Sequence, residues 1–386
     1  MNKMYEYKIT HRSKRSNARI GIFNLPHGKV NTPVFMPVGT VGAVKTMTPR
    51  DLREVGSEII LANTYHLYLR PGDKLIAKMG KLNNYTKWDG PILTDSGGYQ
   101  VFSLGEGIRD IYKTKLKKAV ISDRGVSFYS HLDGSKHFMT PEKSVQIQKN
   151  LGSDLIMAFD DCPPENATKK RVEKALQRTF NWYGRCESEH RGTSGGELIP
   201  ICQGGKFKDL RRLSCEFINK TNAPALAIGG VSVGETKENI YEIAGFCCGI
   251  LDSKRPRYLM GVGYPEDIAE AISRGVDMFD CVLPTRLARH GTVWVRSGKR
   301  TSKKIKGVPY RYDQISILQS KYTADKSTPD PTCRCELCQG GYSKSYLRHL
   351  LKEREPLGIH LLTVHNLTFI FDLVSDLRKS IKNNSF

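Results

Sequence analysis

The sequence predicts an α/β fold, a (β/α)8 barrel of the TIM type, from three observations. Eight short apolar runs recur along the chain, and each ends in glycine or polar residues. Segments with helical spacing separate most of these runs, and several begin with a cap residue, a proline and acids. A chain of 386 residues suits one such barrel of about 250 residues with insertions. An open doubly wound sheet is the alternative, because it also alternates strands with helices.

The eight predicted strands are continuous apolar runs, as expected of strands buried on both faces of a parallel sheet. They are TPVFMPVGT (32–40), EIILANT (58–64), GPILTDSGG (90–98), SDLIMAFDDC (153–162), ELIPICQGG (197–205), APALAIGG (223–230), PRYLMGVG (256–263) and VDMFDCVLP (276–284). The clearest predicted helices are TPRDLREVG (48–56), TPEKSVQIQKNLG (140–152) and YPEDIAEAISRG (264–275).

Two segments interrupt this alternation and are interpreted as insertions. Residues 99–139 contain the turn signals SDRGVS and LDGS, which predict β-hairpins. Residues 296–365 hold a basic run and a cysteine cluster, and the apolar spacing of NLTFIFDLVSDLRKSIKNN predicts a final helix that returns to the barrel. We therefore divide the chain into a barrel core (1–295), a basic and zinc-binding subdomain (296–365) and a C-terminal helix (366–386).

The charge of the chain favours a polyanionic partner. Lys and Arg number 60 against 39 acids, which gives a net charge of +21. The segment 296–311 has seven Lys or Arg and no acid, so nucleic acid is the first hypothesis and a solvated charge run the second. The N-terminus lacks the apolar region of a signal peptide, and no run approaches the ~18 apolar residues of a membrane span. We expect a soluble, cytoplasmic protein.

In a barrel, the loops at the carboxyl ends of the strands form the active site. The polar residues and glycines that end the predicted strands are Asn63, Asp95 with Ser96, Asp160 with Asp161, Gln203, Gly229 with Gly230, Gly261 and Asp280. Three carboxylates from three strands, Asp95, Asp160 and Asp280, are therefore predicted to face one pocket.

The motif CRCELC places Cys333, Cys335 and Cys338 at a spacing that suits three ligands of one tetrahedral ion. Candidates for the fourth ligand are His349, His360 and His365, of which His365 is expected at the start of the final helix. A Cys₃His site leaves no open coordination position, so we expect a structural Zn²⁺. The alternative is a group of surface thiols without metal.

Seven ordered segments of the chain resemble a known family. They are LTDSGGYQVFSL, MAFDDC, QGG, LAIGGVSVGE, MGVGYPEDI, FDCVLPTRLARHG and CRCELC with His365. Together these segments resemble bacterial tRNA-guanine transglycosylase, also called queuine tRNA-ribosyltransferase, over roughly residues 5–377. The resemblance implies exchange of the wobble guanine of certain tRNAs for a deazaguanine, as a step of queuosine biosynthesis. It also implies a homodimer and no redox or nucleotide cofactor.

The resemblance also assigns roles to residues. It implies that Asp280 is the nucleophile and Asp95 the general acid and base. The residues implied to bind the base are Asp95, Ser96, Gly97, Gly98, Tyr99, Asp160, Gln203, Gly230 and Met260, with Tyr99 and Met260 as the two walls that sandwich it. The residues implied to bind RNA are Gly261, Val262, Gly263, Tyr264, Pro265, Glu266, Asp267, Thr285, Arg286, Leu287, Ala288 and Arg289.

The incoming base and three departures from the family pattern leave alternatives open. Val233 and Cys162 resemble bacterial enzymes that use 7-aminomethyl-7-deazaguanine, the pre-queuosine base, and direct use of queuine is the alternative. TRLARHG stands where TRNARNG is frequent, GGVSVG where GGLAVG is common, and CQGGYS is one residue longer than usual. Rival functions are a non-catalytic tRNA-binding barrel subunit and a hydrolase that releases guanine.

Overall fold

The computed structural model describes residues 4–105, 119–192, 195–231 and 234–386. Its strands are β1 (Tyr7–Arg12), β2 (Arg19–Leu25), β3 (Gly28–Thr32), β4 (Val34–Gly39), β5 (Ile60–Ala62), β6 (Ile92–Thr94), β7 (Val120–Ser122), β8 (Gly125–Tyr129), β9 (Lys136–Met139), β10 (Leu155–Met157), β11 (Glu197–Ile199), β12 (Ile201–Cys202), β13 (Leu226–Ile228), β14 (Arg257–Leu259), β15 (Met278–Cys281), β16 (Thr292–Ser297), β17 (Lys303–Lys304) and β18 (Arg311–Ser316).

The helices follow the strands in the predicted alternation. They are α1 (Pro49–Val55), α2 (Thr64–Leu69), α3 (Asp73–Lys78), α4 (Lys81–Thr86), α5 (Gly98–Gly105), α6 (Pro141–Leu151), α7 (Lys169–His190), α8 (Lys208–Asn219), α9 (Lys237–Ile250), α10 (Pro265–Ser273), α11 (Leu283–Arg289), α12 (Glu336–Gln339), α13 (Lys344–Lys352) and α14 (Pro356–Lys382), with a 3₁₀ turn at Ser320–Tyr322.

The described strands include nine parallel segments that form one sheet in the order β11-β10-β6-β5-β4-β15-β14-β13-β12. The two edge segments, β11 and β12, are halves of one strand divided at Pro200. Proline has no N–H to donate, which interrupts the ladder, but the Pro200 carbonyl still accepts from the Ala227 N–H at 3.1 Å. The sheet therefore closes on itself with eight strand positions, and the predicted (β/α)8 barrel is confirmed.

The barrel interior is an apolar core that a small sheet covers at its amino end. Strands β1, β2 and β3 pair antiparallel, and Phe23, Leu25 and Val30 pack against the side chains inside the barrel. The turn between β2 and β3 lies at the amino end of β10, because the His27 N–H donates to Asp154 at 3.0 Å. The sequence analysis did not predict this sheet. Because this sheet covers the amino end of the barrel, the opposite, carboxyl end is the one available for the predicted active site.

The predicted helix starts are confirmed at several positions. Thr48 caps α1 by accepting from the Asp51 N–H at 3.1 Å, while Asp51 binds the Thr48 N–H at 2.7 Å. Thr140 caps α6, and α10 begins at Pro265. The predicted hairpins of the insertion are also present, because β7, β8 and β9 form an antiparallel sheet. Residues 106–118 of that insertion lie outside the described residues.

The final helix is longer than predicted. It begins at Pro356, so His365 lies inside α14 and not at its start as the sequence analysis expected. By length and composition this helix could cross a membrane, yet 78% of its apolar window is buried inside the protein, as in a core helix. The helix packs on α1, α11 and β4, and the division of the chain at residue 366 stays a prediction.

Candidate active site and metal centre

Asp95 follows β6 at the carboxyl end of the barrel and is held from three directions. Its carboxylate accepts hydrogen bonds from Asn63 Nδ2 (2.5 Å), the Thr64 N–H (2.8 Å) and Gln100 Nε2 (2.8 Å). Burial raises the pKa of Asp95 above its usual value, although these donors oppose the shift. A carboxyl whose protonated form is favoured by burial and whose ionised form is held by hydrogen bonds is suited to acid–base work.

Asp280 lies near the end of β15 and remains partly exposed. Its Oδ1 accepts from the Tyr258 hydroxyl at 2.7 Å and from the Gly261 N–H at 2.9 Å. Burial raises the pKa of the Asp280 carboxyl, and burial, followed by the charges of Asp280 and then Asp95, raises the pKa of Tyr258. Tyr258 thus lies in the field of both carboxylates and donates to Asp280.

The neighbouring thiol is unsuited to nucleophilic attack. Burial, followed by the charge of Asp280, raises the pKa of Cys281 to about 12, so the reactive thiolate is suppressed. A Cβ on Gly263 would lie 2.4 Å from the Cys281 Cβ, which shows how closely the Cys281 side chain packs against that backbone. Of these two adjacent residues, the carboxylate is the better candidate nucleophile.

Asp160 and Gln203 form a second pair at the carboxyl ends of β10 and β12. Gln203 Nε2 donates to Asp160 Oδ2 at 2.6 Å, and the Ser96 hydroxyl donates to Oδ1 at 3.4 Å. Burial, assisted by the charge of Asp161, raises the pKa of Asp160 to about 7. Asp160 can therefore change its protonation state at neutral pH.

Asp161, which the sequence analysis placed beside Asp160 at the same strand end, has a different environment. Its carboxylate is buried and pairs with Arg178 at 2.6 Å and Arg171 at 2.8 Å. The Asp161 N–H donates to Thr179 Oγ1 at 3.1 Å. These contacts join the loop after β10 to α7, so Asp161 supports the position of Asp160.

The Gly229–Gly230 turn lies against Gln203. Gly230 has φ of +60°, and a Cβ there would lie 2.4 Å from Gln203 Oε1, so both backbone conformation and space favour glycine. Arg211 Nη1 donates to the Gly229 carbonyl at 2.8 Å, and Nη2 donates to the Gly230 carbonyl at 2.9 Å. Because C=O and N–H point in opposite directions in a trans peptide, the Gly230 N–H faces away from Arg211.

The loop after β6 brings the other predicted base-binding residues to the pocket. A Cβ on Gly98 would lie 3.4 Å from Asp160 Oδ1, and one on Gly97 would lie 3.3 Å from the Tyr65 nitrogen. Tyr99 lies at the start of α5, and its side chain is 50% exposed. At the end of β14, Met260 Sδ would lie 3.5 Å from a Cβ on Gly229. Tyr99 therefore belongs to the segment after β6, and Met260 follows β14 beside the Gly229–Gly230 turn.

The two predicted RNA-binding segments differ in what they expose. In the first, Val262, Gly263, Pro265 and Asp267 are buried, whereas Gly261, Tyr264 and Glu266 are partly exposed. Its acids are already paired, because Lys237 binds Glu266 at 2.6 Å and Asp267 at 2.9 Å. In the second, on α11, Thr285 and Ala288 are buried, Leu287 is partly exposed, and Arg286 and Arg289 are exposed.

The basic run forms part of the antiparallel sheet β16-β18-β17. Two of its lysines pair with α10, because Lys303 lies 3.3 Å from Glu266 and Lys306 lies 3.4 Å from Glu270. Arg296 pairs with Asp372 on α14 at 2.9 Å. The exposed basic side chains of this run that make no ion pair among the described residues are those of Lys299, Arg300 and Lys304.

The predicted metal ligands converge. Cys333, Cys335, Cys338 and His365 are all buried, and their ligand atoms lie within 4.8 Å of one another. Both the Cys335 and the Cys338 sulfur lie 3.4 Å from His365 Nδ1. His365 Nε2 lies 2.7 Å from the Trp294 carbonyl, which fixes a proton on Nε2 and leaves Nδ1 for a metal ion. The donor set fits a structural Zn²⁺, and His349 and His360 are not part of it.

Two residues that shape the pocket were not predicted. Arg211 lies in the amphipathic helix α8, and Tyr258 lies in the apolar strand β14. A basic residue on a helix is usually solvated, and a tyrosine in a strand is usually part of the core. The available signal was position: Arg211 falls on the buried side of α8, and Tyr258 lies two residues before Met260.

Comparison with known proteins shows the family of this chain. The family model for queuine tRNA-ribosyltransferase matches residues 14–386. Proteins named queuine tRNA-ribosyltransferase from Halothermothrix orenii and Pelotomaculum thermopropionicum are each 46% identical to this chain, over 98% and 97% of it and 94% of their own lengths. One from Caldanaerobacter subterraneus is 47% identical over 98% of this chain and 94% of its own. The chain therefore belongs to the queuine tRNA-ribosyltransferase family and is a pentosyltransferase of the tRNA-guanine transglycosylase class.

Proposed function

We propose that this enzyme exchanges the wobble guanine of a tRNA anticodon for a 7-deazaguanine by double displacement, with Asp280 as the nucleophile. One observation carries the proposal. Asp95, Asp160 and Asp280 come from three strands to one end of the barrel, beside the amide and glycine edge of Gln203 and Gly230. Tyr258 connects Asp280 electrostatically to Asp95, so two of these carboxyls act on the same space.

The reaction breaks the N-glycosidic bond between C1′ of the ribose and the guanine. As that bond lengthens, positive charge develops at C1′, and a carboxylate on the opposite face can stabilise it and form an ester. The incoming base then displaces Asp280 from C1′ with net retention. The Tyr258 hydroxyl and the Gly261 N–H hold one Asp280 oxygen, and this orients the carboxylate for attack.

Asp95 is proposed to be the general acid and the general base of the exchange. Burial raises its pKa and so favours the protonated form, which would donate to the departing guanine; the resulting carboxylate would then accept a proton from the incoming base. Asn63, the Thr64 N–H and Gln100 stabilise the carboxylate that this first transfer produces. One residue can thus serve both halves of the exchange.

The base is proposed to bind through its donor and acceptor edge. Guanine presents N1–H and the 2-amino group as donors and O6 as an acceptor. Asp160 would accept from the donors, which releases Gln203 from its present hydrogen bond so that its amide can donate to O6 with the Gly230 N–H. A 7-deazaguanine has the same edge, which explains how one pocket accepts both bases.

The target base must leave the anticodon stack to enter this pocket. Tyr99 and Met260 are proposed to sandwich it, with Ser96, Gly97 and Gly98 beside them. Arg286 and Arg289 on α11 are the exposed charges that would hold neighbouring phosphates or bases. In the first predicted RNA-binding segment (261–267), the Val262, Pro265 and Asp267 side chains are buried. We therefore propose that this segment contacts RNA mainly through its backbone, with Gly261 and Tyr264 at its surface.

The identity of the incoming base is a finer proposal. We favour 7-aminomethyl-7-deazaguanine over queuine because Cys162 lies beside the base-reading groups, close enough that Asp160 raises its pKa after burial does. Val233, the second residue behind this preference, lies outside the described residues. We also propose tRNA as the partner, a homodimer as the assembly and Zn²⁺ as the ion held by the Cys₃His group, where it would stabilise the fold.

Base competition tests the proposal. The purified enzyme and an anticodon stem-loop with a wobble guanine would be incubated with labelled guanine, and then challenged with either deazaguanine. We expect exchange of guanine, and more effective competition by 7-aminomethyl-7-deazaguanine than by queuine. Release of guanine without incorporation of any base would contradict transfer and identify a hydrolase. Stronger competition by queuine would contradict the base preference alone.

A further inference from the structure

Three cysteine side chains meet between the barrel wall and two helices, away from the Cys₃His group. Cys202 lies on β12, Cys215 on α8 and Cys247 on α9, and all three are buried. The Cys202 sulfur lies 3.5 Å from that of Cys215 and 4.0 Å from that of Cys247. All three sulfur atoms lie within 4.8 Å of one another. Three elements that are separated along the chain therefore bring their thiols together.

These separations match the size of a metal–thiolate site. Thiolate sulfur binds a first-row ion such as zinc at about 2.3 Å, and three sulfurs around one ion in a plane at that distance lie about 4.0 Å apart. The separations of the Cys202 sulfur from the other two, 3.5 and 4.0 Å, lie at or just below this value. Movements of a few tenths of an ångström would place all three sulfurs on one ion.

The surroundings select the kind of ion. Among the described residues, the group offers three sulfur ligands and no fourth His, Cys, Asp or Glu, whereas zinc sites take four ligands. The buried Arg211 lies beside the group, with Nη1 4.0 Å from the Cys202 sulfur. Its positive charge favours deprotonated sulfur and opposes a second positive charge more strongly when the ion is divalent. Soft thiolates with a low ligand number favour Cu(I).

We propose that Cys202, Cys215 and Cys247 form a three-thiolate site for a soft monovalent metal ion, Cu(I). Binding replaces three S–H bonds by three S–Cu bonds and releases the three protons to solvent, with no change in oxidation state. The site is distinct from the Cys₃His group, which lies beside α14.

Occupation of this site also has a consequence for the base pocket, which rests on the proposed function. The Cys202 carbonyl accepts from Arg211 Nη1 at 2.9 Å, and the same guanidinium holds the Gly229 and Gly230 carbonyls. Drawing the Cys202 sulfur toward an ion would disturb this guanidinium and with it the edge that binds the base. Cu(I) should therefore slow base exchange.

Metal uptake by the zinc-loaded enzyme tests the site without reference to activity. Under anaerobic conditions, Cu(I) buffered by a chelator would be titrated into wild type, Cys215→Ser, Cys247→Ser and the control Cys248→Ser. Cys248 is buried on the same helix but is not part of the group. We expect one Cu(I) per chain with zinc retained in wild type and in the control, and affinity at least about 100-fold lower in the other two variants.

X-ray absorption at the copper edge of wild type decides the question independently of how the variants fold. A shell of three sulfurs is expected, and a shell containing nitrogen would instead place copper on the Cys₃His group and overturn the proposal. Equal uptake by all four proteins, or uptake only with loss of zinc, would also overturn it. To test the effect on the base pocket, base exchange would be measured with Cu(I) present. Cu(I) should slow base exchange by the Cys248→Ser variant but not by the Cys247→Ser variant.

Discussion

Asp160 is a buried carboxyl whose pKa lies near neutral pH. Its pKa is raised to about 7 by burial and then by Asp161, so the protonated form becomes dominant in the free enzyme below that pH. Only the ionised carboxylate can accept from both N1–H and the 2-amino group of guanine. Protonation of this one residue therefore opposes base binding.

We predict that guanine binds more weakly as the pH falls below about 7, by up to roughly tenfold per pH unit. The dissociation constant would be measured by calorimetry between pH 5.5 and 8.5. Asp160→Asn should bind weakly throughout and lose this dependence, because the amide does not titrate in this range. An affinity that is constant with pH in wild type would contradict the role of Asp160.

At this scale, the sequence identified residues at strand ends, including the supporting residues Asn63 and Asp161, but it did not identify Arg211 and Tyr258, which lie inside a helix and a strand. Asp95, Asp160, Gln203 and Asp280 each follow or end an apolar run, and barrel geometry then places them together. Arg211 acts by reaching four backbone carbonyls from a helix, those of Cys202, Gly205, Gly229 and Gly230. Such contacts depend on tertiary packing, so residue type and spacing did not reveal them.

At the scale of elements, the barrel strands were predicted because their apolar runs are continuous and their ends are polar. The sheet β1-β2-β3 was missed, since its strands alternate buried and exposed positions in short runs that resemble many surface loops. The start of α14 was also misplaced, although Pro356 is a typical first residue of a helix. The local signal for the start of this helix was therefore present in the sequence at Pro356.

Helix α14 links the Cys₃His group to α11, the helix proposed to contact RNA. His365 Nε2 pairs with the Trp294 carbonyl at 2.7 Å on β16. The next residue, Asn366, donates from Nδ2 to the carbonyls of Pro284 and Thr292, each at 3.0 Å. Since Pro284 lies in α11, the position of α11 depends on the segment that carries a metal ligand. Loss of metal should therefore affect both stability and RNA contacts.

We predict that removal of zinc by a strong chelator lowers the melting temperature by at least about 5 °C, and that added Zn²⁺ restores it. Calorimetry with metal analysis of the same samples would measure this. Cys335→Ser should resemble the stripped protein, whereas Cys186→Ser, which alters a buried cysteine outside both clusters, should keep its zinc. An unchanged melting temperature in protein shown to be free of metal would contradict the structural role.

At the scale of the whole molecule, only part of the net charge of +21 can attract a partner, because some of the cations are engaged in ion pairs within the fold. The ion pairs of Lys303 and Lys306 with Glu266 and Glu270 use part of the basic run to dock β17 and the segment after it on α10. Composition predicted a polyanionic partner, but it could not show which cations are engaged within the fold. That division depends on distances between residues far apart in sequence.

We predict that replacing Lys299, Arg300 and Lys304 together by alanine weakens tRNA binding and reduces the slope of log affinity against log salt by about two. The slope falls because fewer phosphates are neutralised by the variant, so that fewer counterions are released when it binds. Fluorescence anisotropy over a salt series would measure both quantities. A triple variant of Lys8, Lys29 and Lys254, exposed residues near the amino end of the barrel, should leave the slope unchanged. Equal effects of the two variants would indicate non-specific attraction.

The most direct test of the central claim is to detect the covalent intermediate through Asp280. Wild type and Asp280→Asn would be incubated with an anticodon stem-loop and separated on a denaturing gel. The account predicts a slowly migrating RNA–protein adduct in wild type that disappears when guanine is added in excess, and neither adduct nor exchange in Asp280→Asn. Base exchange that continues in Asp280→Asn, or an adduct that maps to another residue, would contradict it.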